Sequence, residues 1–389
     1  MHDAVKHIHD SGALLRAEHR ACDAAGKLTD KTVEVLRQSQ GMKLLQARSH
    51  GGLEADIRDF FAWVRAVAQY NPSAGWVAGV VGVHPWEIAL CDGKLQDEIY
   101  GRDASTWVAS PYAPFGRARR VEGGFILNGE WPYSTGTDHC TWIVLGGMVM
   151  DADGNVPLPP DVRHFFLPRS DYQIIEDTWQ VMGLVGTGSK NVRVVDAFVP
   201  AHRIVGHVAL SEGEYRGRRA ATPLYHLPFG CVFSAAISSG TFGIARGTID
   251  AYREQLQSRV SVSGVVGKSD PFQQEALAEA EADLDAGIAH VDVMTMDLLA
   301  RIAAGQPMSA AVRLDYRRNQ VRAVQRVLAS VDKLLARAGS PSVWTTRALE
   351  HYWRYLRTAG THICNVTDSI YPAWAAQALN TGALVNAFY

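Results

Sequence analysis

The chain has 389 residues, 47% of them hydrophobic and 20% charged, with a formal net charge of -2. That composition suits a soluble protein with two or three packed units, and the near-zero balance without a basic run argues against nucleic acid as the main partner. No apolar stretch reaches the roughly 20 residues that span a bilayer, and Met1-His2-Asp3-Ala4-Val5-Lys6 lacks an apolar signal core, so no membrane partner and a cytoplasmic location are expected.

Residues 1–104 read as a helical domain. Ala17, Cys22 and Ala25, then Val33, Val35, Leu36 and Met42, recur at helical intervals among charges. Phe60, Phe61, Val64 and Val67 form a second apolar face, ended by Asn71-Pro72, and a third helix is expected to start at a Ser73 cap. Residues 105–215 change texture. Phe125-Ile-Leu, Trp142-Ile-Val-Leu, His164-Phe-Phe-Leu and Val192-Arg-Val-Val alternate with Glu122-Gly-Gly, Asp151-Ala-Asp-Gly and Leu158-Pro-Pro, as strands and turns of an antiparallel barrel or sandwich. In residues 216–389 the helical pattern returns. Leu277, Leu284, Ile288, Val291 and Leu298 trace one face, and Val312, Tyr316, Val324, Val327 and Leu334 another, which predicts an antiparallel bundle. Cys22, Cys91, Cys140, Cys231 and Cys364 are odd in number and show no metal spacing, so they read as reduced, buried thiols.

No G-x-G-x-x-G follows a predicted strand, so a nicotinamide site of the usual kind is not expected. Four segments carry possible chemistry. In Gly75-Trp-Val-Ala-Gly-Val-Val-Gly-Val-His84-Pro-Trp-Glu, proline disfavours helix at the residue before it, which predicts His84 at a helix break. There it is either an acid or base in a cavity or a capping histidine. Asn128-Gly-Glu-Trp131-Pro-Tyr-Ser134-Thr135-Gly136 ends a strand in two hydroxyls and a glycine, suited to a ligand edge or to a plain turn. Trp179-Gln-Val-Met-Gly183-Leu-Val-Gly186-Thr187-Gly-Ser189 offers an aromatic platform before a hydroxyl loop, and equally a strand connection. Trp353-Arg354-Tyr355-Leu-Arg357-Thr-Ala-Gly-Thr-His362 places a histidine late in the bundle, where a surface residue is the ordinary reading.

Together, in this order, the segments resemble the oxygenase components of two-component flavin monooxygenases built on the acyl-CoA dehydrogenase fold. Trp76 to Trp86, Ser110-Pro-Tyr-Ala-Pro, Trp179 to Ser189, Phe198-Val-Pro-Ala-His-Arg and Pro223-Leu-Tyr-His-Leu-Pro-Phe are most similar to the secosteroid phenol and aromatic-polyketide hydroxylases. The resemblance implies an α+β fold: an N-terminal helical domain, a middle antiparallel β domain and a C-terminal four-helix bundle that forms a homotetramer. It implies reduced FMN or FAD from a separate NAD(P)H:flavin reductase, molecular oxygen as co-substrate, and hydroxylation of an aromatic substrate through a flavin C4a-hydroperoxide. His84 and His362 match the histidines on the substrate side of the flavin. Thr135 stands where the family usually has a serine bonded to flavin N5, with Trp131 in the same cofactor segment, and Ser110 matches a second hydroxyl near the reacting edge. Trp179, Thr187 and Ser189 match the loop on the ring and tail, and Arg259 an arginine reaching a neighbouring subunit's flavin phosphate. The alternative is an acyl-CoA dehydrogenase-like FAD desaturase. That class commonly carries a glutamate in a Y-E-G stretch where this chain has His362-Ile363-Cys364, without a carboxylate. Tyr355 replaces the aspartate of the family's R-D pair.

Overall fold

The computed structural model describes residues 1–261 and 264–382; of the expected bundle zone 216–389, residues 262–263 and 383–389 lie outside the described residues. Six helices come first: α1 (Asp3–Asp10), α2 (Gly12–Ala25), α3 (Asp30–Gln38), α4 (Ile57–Tyr70), α5 (Pro72–Ile88) and α6 (Gly93–Tyr100). In α2 the buried face is Leu15, His19 and Cys22, while Ala17 and Ala25 are exposed; alanine carries too little apolar surface to decide a helix face. α4 buries Phe60, Phe61, Val64 and Val67 on one side. α5 is buried along its whole length and so lies between layers rather than on a surface.

Two expectations about α5 need correction. Its cap is Asn71, whose side chain accepts from the Ala74 N–H at 3.1 Å, with Pro72 at the first helical position. Ser73 is a buried first-turn residue. Nor does the helix break at His84: α5 continues through Pro85 to Ile88. A proline bias on its neighbour is overridden where the helix is enclosed by α4, the bundle and the sheet.

The strands are β1 (Val108–Ala109), β2 (Gly116–Val121), β3 (Gly124–Ser134), β4 (Trp142–Val149), β5 (Val162–Pro168), β6 (Gln173–Ile175), β7 (Lys190–Pro200) and β8 (Ile204–Gly206). They form one sheet in the order β6-β7-β3-β2-β4-β5-β8, with β1 beside β4. Pairing is antiparallel except that β4 runs parallel to β2 and β1, because the chain leaves β3 and returns on the far side of β2. The remaining helices are α7 (His207–Glu212), α8 (Phe229–Ser258), α9 (Pro271–Ala303), α10 (Ala310–Ala338), α11 (Ala348–Gly360) and α12 (Ile370–Ala378). Leu284, Val291 and Leu298 are buried in α9, and Tyr316, Val324, Val327 and Leu334 in α10, so the heptad-spaced faces are the bundle seams. The five cysteines are free and buried. Among the described residues no helix is long and apolar enough to cross a membrane.

Candidate active site

Strand register assembles the first part of the site. β3 and β7 are antiparallel, with Ser134 opposite Lys190 after a register shift between Trp131 and Ser134. That pairing sets Thr135 against Ser189, and their hydroxyls lie 2.9 Å apart. Ser189 Oγ is 2.7 Å from Thr187 Oγ1, and Thr187 donates to the Leu184 carbonyl at 2.8 Å. All three hydroxyl residues are buried. The carbonyl at the end can only accept, so the chain has a fixed direction. Thr187 spends its proton on Leu184, Ser189 donates to Thr187, and Thr135 donates to Ser189. What Thr135 has left to offer a ligand is an oxygen lone pair. Trp179 is fixed by the same carbonyl, donating to Leu184 O at 3.0 Å, and its ring meets Tyr133 edge-on.

The glycines of this loop serve packing. A β-carbon at Gly183 would come within 2.6 Å of Arg354 O, and one at Gly186 within 2.8 Å of the Cys22 β-carbon. The loop is thus clamped between α11 and α2. Asp23 of α2 accepts from the Gly186 N–H at 3.2 Å and from the Tyr355 hydroxyl, and lies 2.7 Å from His351. The Tyr355 hydroxyl thus ties α11 to the α2 carboxylate that holds the loop.

α5 links this hydroxyl chain to the histidines. A β-carbon at Gly136 would sit 3.0 Å from Val77 and 3.2 Å from Val81. His84 is on the same helical face one turn on. Its Nδ1 lies 2.5 Å from the Val108 carbonyl and must carry the proton. Nε2 is then a lone-pair acceptor, buried and without a hydrogen-bond partner among the described residues. His362 has the opposite polarity. Its Nδ1 accepts from the Cys364 N–H at 3.2 Å, so Nε2 carries the proton. The turn after α11 that holds it is pinned by Asn365, which donates to Ala359 O and Thr241 Oγ1, each at 2.9 Å. Arg317 also donates to Cys364 O at 3.2 Å. Burial pushes both histidines down to about 4, with the Arg317 charge adding to the effect at His362. Both are neutral near pH 7. Ring contacts join them into one wall: His84 to Tyr112 (5.5 Å), Tyr112 to Phe233 (5.2 Å), Phe233 to His362 (6.3 Å) and His362 to Trp76 (5.6 Å). Ser110, buried, follows β1 two residues after the carbonyl that holds His84.

Residues 235–367 match the family model described as acyl-CoA dehydrogenase, C-terminal domain. The chain is 36% identical to a pigment production hydroxylase of Rhodococcus erythropolis, covering 96% of this chain and 95% of that one. It is also 36% identical to the flavin-dependent monooxygenase oxygenase subunit HsaA of Rhodococcus jostii (strain RHA1), covering 92% and 93%. The crystal structure of 3-HSA hydroxylase from Rhodococcus sp. RHA1 superposes with a TM-score of 0.92 at 32% identity, over 100% of this chain and 99% of that one. The chain belongs to the oxygenase components of flavin-dependent monooxygenases. It is an enzyme, reduced flavin is its cofactor and molecular oxygen its co-substrate, and a separate component reduces the flavin.

Against that family, the residues expected at the site divide. His84, Ser110, Thr135, Trp179, Thr187, Ser189 and His362 lie on the elements just described. Trp131 does not face a ligand: it is fully buried, donates to Gly146 O at 2.7 Å, and packs on Gly116 and Gly129. The alternation of β3 turns it into the sheet's interior with Leu127. Arg259 follows α8, roughly 38 Å along the helix from Phe233, and donates to Arg337 O. Three wall or near-wall residues were missed: Tyr112, Glu87 and His164. The available signal was Glu87, a carboxylate three residues after His84 in an otherwise apolar helix.

Proposed function

We propose that the enzyme hydroxylates a phenol next to its hydroxyl group, using FMN or FAD reduced elsewhere by an NAD(P)H:flavin reductase and delivered by diffusion. The observation that carries this is the opposed polarity of two neutral histidines on one aromatic wall, beside a hydroxyl chain that ends in an acceptor. Thr135, Trp179, Thr187 and Ser189 would hold the flavin, with Thr135 accepting from its N5–H. When bound, the reduced flavin supplies the activation of oxygen. The rest is the chain's own work. His84 Nε2 accepts the hydrogen bond of the phenol and so raises the electron density of its ring. His362 Nε2–H donates to oxygen. Trp76, Tyr112 and Phe233 exclude water and orient the ring, and such positioning can account for several kcal/mol of barrier. With its basicity depressed to about 4, His84 orients the phenol proton and does not store it.

The proposal includes a homotetramer whose flavin sites are completed by Arg259 of a neighbouring subunit. Its support is the position of Arg259, remote from its own site but beside the α10–α11 turn at Gly339. A test of the whole reading is to supply NADH with and without an unrelated flavin reductase to a panel of phenols. Turnover only with the reductase is expected. Rapid NADH oxidation by the purified chain alone would overturn it.

A further inference from the structure

We propose that Tyr112, Glu87, His164 and His207 form a proton relay between the substrate wall and the protein surface, an inference that rests on the hydroxylase reading above. The reaction requires one. With the reduced flavin arriving as its monoanion, the balanced change is flavin-H⁻ + O2 + Ar–H + H⁺ giving flavin + Ar–OH + H2O. One proton per turnover must enter a site that excludes bulk water. His84 and His362, both neutral and weakly basic, cannot hold it in reserve.

The four groups are joined link by link. The Tyr112 hydroxyl donates to Glu87 Oε2 at 2.5 Å. Glu87 Oε1 is 2.6 Å from His164 Nδ1, and His164 Nε2 is 3.0 Å from His207 Nδ1. Glu87 and His164 are each 1% exposed, whereas His207, the first residue of α7, is half-buried, so the chain leads outward. Its inner end is the Tyr112 ring, which lies on the wall between His84 and Phe233. Phe229 lines the relay, against Tyr112, His164 and His207, and keeps water from short-circuiting it. In the resting arrangement the hydrogen bonds converge on Glu87, so a proton entering at His207 passes through His164 to the carboxylate, and Glu87 then donates it to the Tyr112 oxygen while that hydroxyl's own proton turns toward the wall.

A buried carboxylate costs stability unless it is hydrogen-bonded, so stability alone does not call for a glutamate in the enclosed, apolar α5. The titratable groups facing Glu87 include Tyr112, His164, His84 and Cys91, and those facing His207 include His164 and Glu87. Burial raises Glu87, but His164 and Tyr112 outweigh it and hold the carboxyl below its ordinary value. Burial and the neighbouring His164 push His207 down to about 4. At neutral pH the resting relay thus has an ionised acceptor at Glu87 and a neutral gate at His207.

The test uses full-length wild type, His207→Ala and Glu87→Gln, with chemically reduced flavin, oxygen and a phenol that the wild type hydroxylates. His207→Ala should slow product formation roughly tenfold or more, added imidazole should restore most of the rate, and reduced-flavin affinity should be unchanged. Glu87→Gln should show a comparable loss that imidazole does not restore. A wild-type rate in His207→Ala, or a loss that imidazole leaves untouched, overturns the relay. His207 is half-buried, so this outcome can be read even if Glu87→Gln does not fold. Wild type that consumes reduced flavin but hydroxylates no phenol would instead overturn the function proposed above, and the relay with it.

Discussion

Replacing Thr135 with valine keeps the side-chain shape and removes one oxygen. In the folded chain that oxygen is the acceptor end of a directed run through Ser189 and Thr187 to the Leu184 carbonyl. If it accepts from flavin N5–H, its loss weakens retention of that proton and lets reduced oxygen escape as hydrogen peroxide. One such bond is worth on the order of 1 kcal/mol, which corresponds to about a five- to tenfold rise in the rate of escape. Thr135→Ser retains the acceptor and should behave as wild type. Ser189→Ala removes the group to which Thr135 donates, frees the Thr135 hydroxyl to rotate, and should give an intermediate leak. The assay is product formed against hydrogen peroxide released, per reduced flavin consumed. An unchanged ratio in Thr135→Val would refute the flavin placement at the end of β3, leaving the hydroxyl run as a structural feature only.

Burial holds His19 at about 3 and His84, His207 and His362 at about 4. Because these lie below the unfolded imidazole value, stability is fully present above about pH 6.5 and is lost as the pH falls toward 4, by roughly 1–2 kcal/mol per histidine at pH 5. The urea midpoint at pH 5 should therefore be below that at pH 7, and equal midpoints would contradict the buried neutral histidines. Arg259→Ala should weaken reduced-flavin binding without altering hydroxylation at saturating flavin. Unchanged affinity in a stopped-flow titration, or a monomer by light scattering, would remove the cross-subunit site. Tyr355→Phe should cost about 1 kcal/mol of stability by taking the hydroxyl from Asp23, and an unchanged denaturation midpoint would show that the clamp on the 183–189 loop holds without it.

Much of this arrangement was legible in the chain because its elements have strong local signals. The strand runs at Trp142 and Val192 and the heptad-spaced faces of α9 and α10 follow from period alone. Site residues were legible through the order of motifs rather than through any one of them: a histidine before a proline or a Ser-Thr-Gly turn says little alone. Misreadings came where tertiary packing overrides local preference. Pro85 should end a helix, yet α5 is enclosed and continues. Trp131 shares a segment with Thr135, yet strand alternation turns it inward. Glu87, Tyr112 and His164 are 25 to 77 positions apart in pairs, and only the fold brings them together. The direction of the hydroxyl run was likewise invisible, since it depends on which carbonyl ends it.

The central claim is that this chain transfers one atom of molecular oxygen to a phenol with reduced flavin made elsewhere. The most direct measurement is mass spectrometry of the phenolic product formed under 18O2 by the chain, NADH and an unrelated flavin reductase. One 18O atom in the new hydroxyl, present only when the chain and the reductase are both added, is the predicted result. Product carrying oxygen from water, or 18O appearing only in hydrogen peroxide across the phenol panel, would contradict it.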